Sequence, residues 1–390
     1  MKNVLIVVDN LVMGGVTKVL VDFLKEVNFT KYKVDLCILH YYKDMSVEIP
    51  KEVKIIEGTD FFCVVDERFS DLKKNGKLLK IIKKILFAIY IKTGIISFKI
   101  KQQRRVMFKR DYDVEIAFND GFSQIFTANG DTKKKIAWLH SDLRVKNYSA
   151  NYYNILKKSI LKFDLGLGVS NEVCESYREV YSMKNLTTIE NFVDYKSIIE
   201  KSNEKLDFNF DENTFNMISV GRLDYPKNYD RLIRVHKKLI DNNYKVKTYI
   251  VGEGNEREKL QNLIRELGVD ETFFLLGRKD NPYKYVKRAD LFVLSSRYEG
   301  LPTVITEAMI LKVPCISTKV AGVQRQLQEL YGLVVENSED ALYNGISQLL
   351  QGNNGLLKKY KQNLENYEFN NNEALKKIDQ VFGDEIKNED

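Results

Sequence analysis

The sequence predicts an α/β protein with two doubly wound parallel sheets, each the core of its own domain. Its 390 residues exceed what one hydrophobic core normally supports, so two domains are expected. Short apolar runs alternate with helical patterns twice along the chain. The segment Glu299–Glu307 adds a Gly-x-Pro turn between an apolar run and a helix, a connection typical of such sheets.

The apolar runs give the order of the strands. In the first half, strands are predicted near 4–8, 34–40, 53–56, 114–118, 136–140 and 165–169. In the second half, they are predicted near 215–220, 248–251, 273–276, 291–295 and 314–317. The polar stretch Lys196–Asn213 lies between the two halves and is interpreted as a linker. We therefore expect domains at 1–195 and 196–365.

The composition favours a globular protein of a reducing compartment. Its 44% hydrophobic content and only five prolines exclude a disordered chain. The four cysteines are far apart without paired spacing, so free thiols in the cytoplasm are expected rather than disulfides or a zinc site. The apolar run after Lys2 is brief and meets Asp9, so it is interpreted as the first strand rather than a signal peptide.

Two carboxylates bracket the start of the helix that follows strand 291–295. Glu299 lies in the strand-to-helix loop, Pro302 is the predicted first helical residue, and Glu307 lies one turn further in. That loop is at the carboxyl edge of the sheet, where open α/β sheets bind ligands. Helix N-terminal N–H groups suit a phosphate. The alternative is two surface carboxylates placed by chance.

A second loop carries two cations. Arg222 and Lys227 follow the predicted strand 215–220 and precede an amphipathic helix. Arginine offers a planar fork for phosphate oxygens and lysine a mobile point charge, so the pair suits a diphosphate. A solvated basic loop is the alternative interpretation.

Four motifs in the second half occur in a fixed order: Ser219-Val-Gly-Arg-Leu with Lys227-Asn228, Tyr249-Ile-Val-Gly-Glu-Gly254, Phe274-Leu-Leu-Gly-Arg278, and Glu299-Gly-Leu-Pro-Thr with Glu307-Ala308. Together they resemble the nucleotide-sugar domain of family 4 retaining glycosyltransferases of the GT-B fold. The first half is more loosely similar, at 4–20, 137–142 and 168–171. The resemblance implies two Rossmann-like domains facing across a cleft, with a C-terminal helix, about 366–390, crossing back onto the first.

The resemblance also implies roles for the charged residues. Arg222 and Lys227 are expected to hold the donor diphosphate. Glu307 is expected to bind the ribose hydroxyls, and Glu299 to face the transferred sugar.

Four further donor-side positions follow from the same resemblance. The backbone at Gly300 and Leu301 is expected to face the transferred sugar. Thr303 lies where the opening of the helix meets the phosphates, and Arg278 marks the backbone that recognises the base.

Two first-domain residues complete the expected site. Gly15 lets the backbone approach the leaving group, because a side chain there would obstruct it. His140 is similar to a family histidine that contacts the donor sugar. A core histidine is the alternative, but His140 ends an apolar strand and is followed by polar Ser141 and Asp142, which favours a site.

The expected function is therefore retaining transfer of a hexose or N-acetylhexosamine from a nucleotide diphosphate sugar, with UDP as the expected nucleotide. A lipid-linked oligosaccharide of cell-surface polysaccharide synthesis is the expected acceptor. A non-catalytic partner subunit that binds glycan or protein, and a nucleotide-sugar epimerase, remain as alternatives. No cofactor is expected besides the donor.

One segment has an unusual charge. From Leu72 to Arg110 the chain carries thirteen Lys or Arg and no acidic residue. Leu78, Ile82 and Leu86 repeat at helical spacing in this segment, with lysines on another face. Such a helix suits an anionic membrane surface, which predicts a peripheral protein on the inner face of the plasma membrane. An ordinary domain helix with an apolar core face is the alternative, and no nucleic-acid reader accompanies the charge.

Three other motifs are discounted. Asp111-Tyr-Asp113 spells a metal-binding pattern but precedes its strand, at the wrong end for a ligand, so no catalytic metal is expected. Gly252-Glu-Gly254 and Gly14-Gly15 are incomplete as dinucleotide fingerprints.

Overall fold

The computed structural model of the protein describes residues 1–383, apart from 13, 42–46, 68, 75–76, 147, 209 and 353–354. The chain divides into two compact units. The first runs from Met1 to Phe192 and resumes at Asn372, whereas the second is Val193–Asn371. The sequence placed these two crossings at 195–196 and near 366. The final stretch of the predicted C-terminal segment, 384–390, lies outside the described residues.

The first unit is built on a parallel sheet. Its strands β1 to β7 are Lys2–Val8, Tyr32–Ile38, Lys54–Glu57, Val114–Ala117, Lys134–Leu139, Leu165–Gly168 and Leu186–Thr188. Its helices α1 to α7 are Gly15–Glu26, Phe69–Lys74, Leu78–Thr93, Ile96–Met107, Phe122–Thr127, Ala150–Ile160 and Asn171–Tyr181. The strand order is β3-β2-β1-β4-β5-β6-β7, which changes direction at β1.

The second unit repeats this design. Its helices α8 to α15 are Tyr195–Ser202, Tyr229–Asp241, Arg257–Glu266, Tyr283–Val286, Thr303–Ile310, Val323–Leu327, Glu339–Gln351 and Leu356–Glu365. Its strands β8 to β13 are Phe215–Val220, Val246–Val251, Phe273–Gly277, Leu291–Leu294, Cys315–Thr318 and Gly332–Val335. They are parallel in the order β10-β9-β8-β11-β12-β13, so the carboxyl ends of β8 and β11 are neighbours.

Successive strand residues of the second unit enter different cores. Phe292 and Leu294 belong to one buried cluster, whereas Leu291 and Val293 belong to another. Because neighbouring side chains in a strand point to opposite faces, the sheet is covered on both sides. The predicted pair of doubly wound α/β domains is confirmed.

Three local predictions were wrong. The short strands β7 and β13 were missed, and α8 overlaps the start of the stretch that was interpreted as a linker. Pro302 is the residue before α12 rather than its first helical residue, since its ψ of 105° is extended.

The last described helix, α16, is Asn372–Phe382, and it packs on the first unit. The Phe382 ring meets the edge of Tyr32 at 5.1 Å between centroids. Asp379 accepts hydrogen bonds from Lys31 Nζ and Tyr32 Oη, both at 2.8 Å. The hydrogen bond from Lys31 contributes most to keeping the pKa of Asp379 below its usual range. Helix α16 therefore packs beside the start of β2 in the first sheet.

No helix among the described residues combines the length and apolar composition that crossing a membrane requires.

Candidate functional site

The loop between β8 and α9 presents the two predicted cations. It turns at Gly221, passes through Arg222 and Lys227, and reaches α9 through Asn228, whose φ of 57° is left-handed. Asparagine tolerates this conformation better than most residues, so it can end the loop where a bulkier residue would be strained. The loop thus holds both cations at the carboxyl end of a central strand.

A neighbouring loop braces this one through backbone contact. Gly252 follows β9 with a φ of 158°, and an added Cβ there would lie 1.9 Å from the carbonyl oxygen of Gly221. Gly254 has the same relation to Leu223, with an added Cβ 2.3 Å from the Leu223 oxygen. The Gly252-Glu-Gly254 turn is therefore a support for the cation loop.

Lys227 and Glu299 meet. Lys227 Nζ donates a hydrogen bond of 2.7 Å to Glu299 Oε1, and Ser296 Oγ donates another of 2.7 Å to the same oxygen. Both charged side chains are largely buried. Ser295 Oγ also donates to the Lys227 carbonyl at 2.9 Å, tying the two loops together. The structure thus brings together one predicted cation and one predicted carboxylate from different strand ends.

Arg222 lies apart from this pair. Its side chain is 72% exposed and forms an ion pair with Asp224 at 3.2 Å. Burial raises the pKa of Asp224, and the neighbouring Arg222 opposes that shift. Being exposed, the guanidinium keeps donors available for a further anion.

The α12 helix begins at Thr303, immediately after the loop that holds Gly300, Leu301 and Pro302. The first N–H groups of a helix have no acceptor within the helix, and its dipole is positive at this end. Gln326 Nε2 donates to the Pro302 carbonyl at 3.1 Å and fixes the turn. This helix end and Lys227 therefore present positive charge at the same sheet edge.

Glu307 and Arg278 are held differently. Glu307 lies on α12, one turn from its start, and only 6% of the residue is exposed. Arg278 is exposed immediately after β10, where Gly277 adopts a φ of 77°. Next to it, Lys279 forms an ion pair with Asp207 at 2.8 Å.

The other two predicted site residues belong to the first unit. Gly15 is the first residue of α1, and an added Cβ there would meet no protein atom within 4 Å. The packing of the protein itself therefore does not require glycine at this position.

His140 follows β5 and is only 9% exposed. Its ring stacks on Trp138 at 6.3 Å between centroids, and its Nε2 is buried without a hydrogen-bond partner among the described residues. Burial lowers the pKa of His140 to about 4, against the opposing charge of Asp120. The imidazole is thus neutral at neutral pH, with one nitrogen unused.

Two acidic residues beside His140 were missed by sequence reasoning. Asp120 accepts hydrogen bonds from the His140 backbone N–H at 3.2 Å and from Tyr177 Oη at 2.8 Å. Asp9 accepts the Ser123 N–H at 2.6 Å, and burial raises the pKa of Asp9 to about 7. Asp9 follows β1 and Asp120 follows β4, so the carboxyl-edge rule applied to every strand would have found both.

Asp113 has a structural role at the opposite edge. Its Oδ2 accepts the backbone N–H of Asn3 at 2.7 Å, immediately before β4. No group of three or more His, Cys, Asp and Glu able to hold a metal ion occurs within the described part of the chain.

Two Rossmann-like units, with a cation and carboxylate pair at the edge of the second sheet, have the architecture of the GT-B fold. Residues 200–367 match the model of the family described as glycosyl transferases group 1. The match covers most of the second unit and agrees with the glycosyltransferase resemblance found in its sequence motifs.

Curated relatives agree. An uncharacterized glycosyltransferase of Methanocaldococcus jannaschii is 30% identical over 262 residues, or 64% of this chain and 60% of that protein. The N-acetylgalactosamine-N,N'-diacetylbacillosaminyl-diphospho-undecaprenol 4-alpha-N-acetylgalactosaminyltransferase of Campylobacter jejuni is 31% identical over 225 residues, or 55% of this chain and 60% of that protein. The chain thus spans 60% of the length of these two relatives.

Solved structures extend the likeness in fold to both units. HepE of Anabaena, solved with UDP, has a TM-score of 0.70 at 16% identity and covers 98% of this chain and 99% of its own. A TarM mutant of S. aureus, in a complex that includes alpha-GlcNAc-glycerol and UDP, has a TM-score of 0.71 at 16% identity, covering 98% and 100%. At such low identity these matches show a shared fold.

Proposed function

We propose that the chain is a retaining glycosyltransferase that moves a hexose or N-acetylhexosamine from a nucleotide diphosphate sugar to a glycan acceptor. The observation that supports this most is the pairing of Lys227 with Glu299 at 2.7 Å, at the carboxyl edge of β8 and β11. A protein that only binds glycans has no need for a cation and a carboxylate fixed against each other beside a helix N-terminus.

The chemistry follows from charge. As the bond between the sugar and the diphosphate breaks, negative charge grows on the departing diphosphate, and we expect Lys227, Arg222 and the start of α12 to stabilise it. The acceptor hydroxyl attacks the same face of the sugar and passes its proton to the leaving phosphate. These cations already supply positive charge, so activity is expected to survive EDTA.

The nucleotide and acceptor are proposed by analogy. HepE and the TarM mutant were solved with UDP, which makes UDP the first nucleotide to test. The Campylobacter relative is named for transfer to a diphospho-undecaprenol glycan, so a polyprenyl-diphosphate oligosaccharide of cell-surface polysaccharide synthesis is the proposed acceptor class.

One assay separates the three candidate functions. The protein is incubated with a panel of nucleotide sugars, with and without a polyprenyl-diphosphate glycan, and nucleoside diphosphate release is measured. A transferase releases it with one donor and faster with acceptor, and an epimerase alters the sugar without release. Absence of both reactions and of nucleotide binding would leave the partner-subunit alternative and overturn the proposal.

A further inference from the structure

Helix α3, Leu78–Thr93, attaches three of its lysines to the protein and exposes most of its large apolar side chains to solvent. Lys80 forms an ion pair with Glu67 at 2.7 Å, and Lys83 forms one with Asp60. Lys84 Nζ donates to the Val64 carbonyl at 2.7 Å, and burial lowers the pKa of Lys84. Lys80, Lys83 and Lys84 lie on one side of the helix, so their contacts fix which side of α3 faces the protein.

The opposite side of α3 carries six large apolar side chains, each 44–77% exposed: Leu78, Leu79, Ile82, Ile85, Leu86 and Ile89. Phe87 is the one large apolar side chain of the helix buried among the described residues. The next helix, α4, also exposes two large apolar side chains, Phe98 at 69% and Val106 at 68%. The ordinary interpretation of the apolar stripe, as the core face of a domain helix, is therefore wrong.

Six exposed large apolar side chains on one side of a single helix are typical of an interaction site. Exposed cations flank it at Lys77, Lys92, Lys101 and Arg105. Because 72–110 contains thirteen Lys or Arg and no acidic residue, two copies meeting through this surface would bring like charges together. An anionic partner with an apolar interior avoids that repulsion.

We propose that the α3–α4 face, defined by the eight exposed apolar side chains above, docks on an anionic phospholipid bilayer. The apolar side chains enter the boundary between headgroups and acyl chains, and the flanking cations contact the headgroup phosphates. The helix lies along the surface.

The inward lysines dictate how this is tested. Replacing Lys80 or Lys84 would detach the helix from Glu67 and from the Val64 carbonyl, so loss of binding would be uninformative. The double variant Ile82→Ser, Leu86→Ser changes two exposed side chains instead. Its matched control is Leu161→Ser, Ile199→Ser, at 54% and 46% exposed outside this face.

Flotation is measured with phosphatidylglycerol-containing vesicles and with vesicles of phosphatidylcholine alone, at low salt and at about 0.15 M salt, where screening acts beyond roughly 8 Å. Wild type and control are expected to float with anionic vesicles, more weakly in salt. The Ile82→Ser, Leu86→Ser variant is expected to bind at least tenfold less, with unchanged thermal unfolding.

Three outcomes would overturn the proposal: no flotation of wild type at low salt, equal loss in the control variant, or a dimer in light scattering that Ile82→Ser, Leu86→Ser abolishes without any vesicle binding. Because the assay measures lipid binding, its result tests the membrane proposal independently of the glycosyltransferase proposal.

Discussion

At the scale of single residues, the hydrogen-bonded ion pair of Lys227 and Glu299 fixes the geometry of the candidate site in the second unit. The hydrogen bond to Glu299 fixes the position of the Lys227 ammonium before any ligand binds. Two of the three N–H donors of Lys227 remain for phosphate oxygens. Ser296 holds the same carboxylate oxygen, so the geometry does not depend on the ligand arriving first.

The cation is expected to matter through its charge. Lys227→Met keeps the buried stem but removes a charge-assisted contact worth roughly 1.5–3 kcal/mol, so kcat/KM should fall at least about tenfold. The control Lys237→Met removes a lysine of α9 that pairs with Asp241 on the surface. Steady-state kinetics that show no difference between the two variants would refute the role of Lys227.

The two carboxylates are expected to act at different stages. The ribose is bound both before and during reaction, so Glu307→Gln should weaken binding of the bare nucleoside diphosphate. Glu299→Gln should chiefly lower kcat if, as we propose, Glu299 faces the reacting sugar. Calorimetric titration and kinetics on both variants test this. Equal nucleoside diphosphate affinity in wild type and Glu307→Gln would remove the ribose role.

At the scale of elements, backbone contact between loops limits what the site tolerates. In Gly252→Ala the new Cβ would lie 1.9 Å from the Gly221 oxygen, whereas in Gly268→Ala it would meet nothing within 4 Å. Both glycines have positive φ. Gly268→Ala should therefore cost about 1 kcal/mol, and Gly252→Ala about 1–3 kcal/mol more.

Urea unfolding of the two glycine variants provides the measurement. Similar urea midpoints for the two variants would mean that the Gly221 loop can shift to accommodate the new Cβ. The supporting role assigned to the Gly252-Glu-Gly254 turn would then be wrong. If nucleotide binding weakens only in Gly252→Ala, the contact of Gly252 with the Gly221 loop is needed for nucleotide binding.

The elements also show what sequence patterns can predict. Buried apolar runs such as β1 and β11 were found because both faces of a parallel strand are buried. The strands β7 and β13 are mostly half-buried instead, so their apolar pattern is too weak to predict a strand. Helix α3 was predicted, but periodicity shows only that a helix has two faces. The face that packs against the protein is determined by the hydrogen bonds of Lys80 to Glu67 and of Lys84 to Val64, which periodicity within the helix does not predict.

The site residues also include some that the sequence predicted and some that it missed. Glu299 and Lys227 stood out because their motifs combine charge with turn residues at strand ends. Asp9 and Asp120 did not, since a carboxylate after a strand is common and their hydrogen-bond partners, Ser123 and His140, lie far along the chain.

At the scale of the whole molecule, two buried histidines are expected to make stability depend on acid. Burial lowers the pKa values of His140 and His236 from 6.5 to about 4. Between these values the unfolded chain binds more protons than the folded one, so stability rises with pH across this window and levels off above it.

His236 offers the clean test, because its nitrogens lie 2.9 Å from the hydroxyls of Thr272 and Thr248, within one unit. The melting temperature of wild type should fall more steeply than that of His236→Gln as pH drops from about 6.5 to about 4. Parallel pH profiles would contradict the contribution of His236.

The return of α16 to the first unit has a consequence for the order in which the protein is made. Phe382 is fully buried and Val381 and Ile378 nearly so, which means that the first sheet lacks part of its cover until these residues, which follow the entire second unit, have left the ribosome. The second unit is one uninterrupted stretch, Val193–Asn371, and needs no later residue. During translation the unit that is encoded second can thus be finished before the one encoded first, the reverse of the usual order.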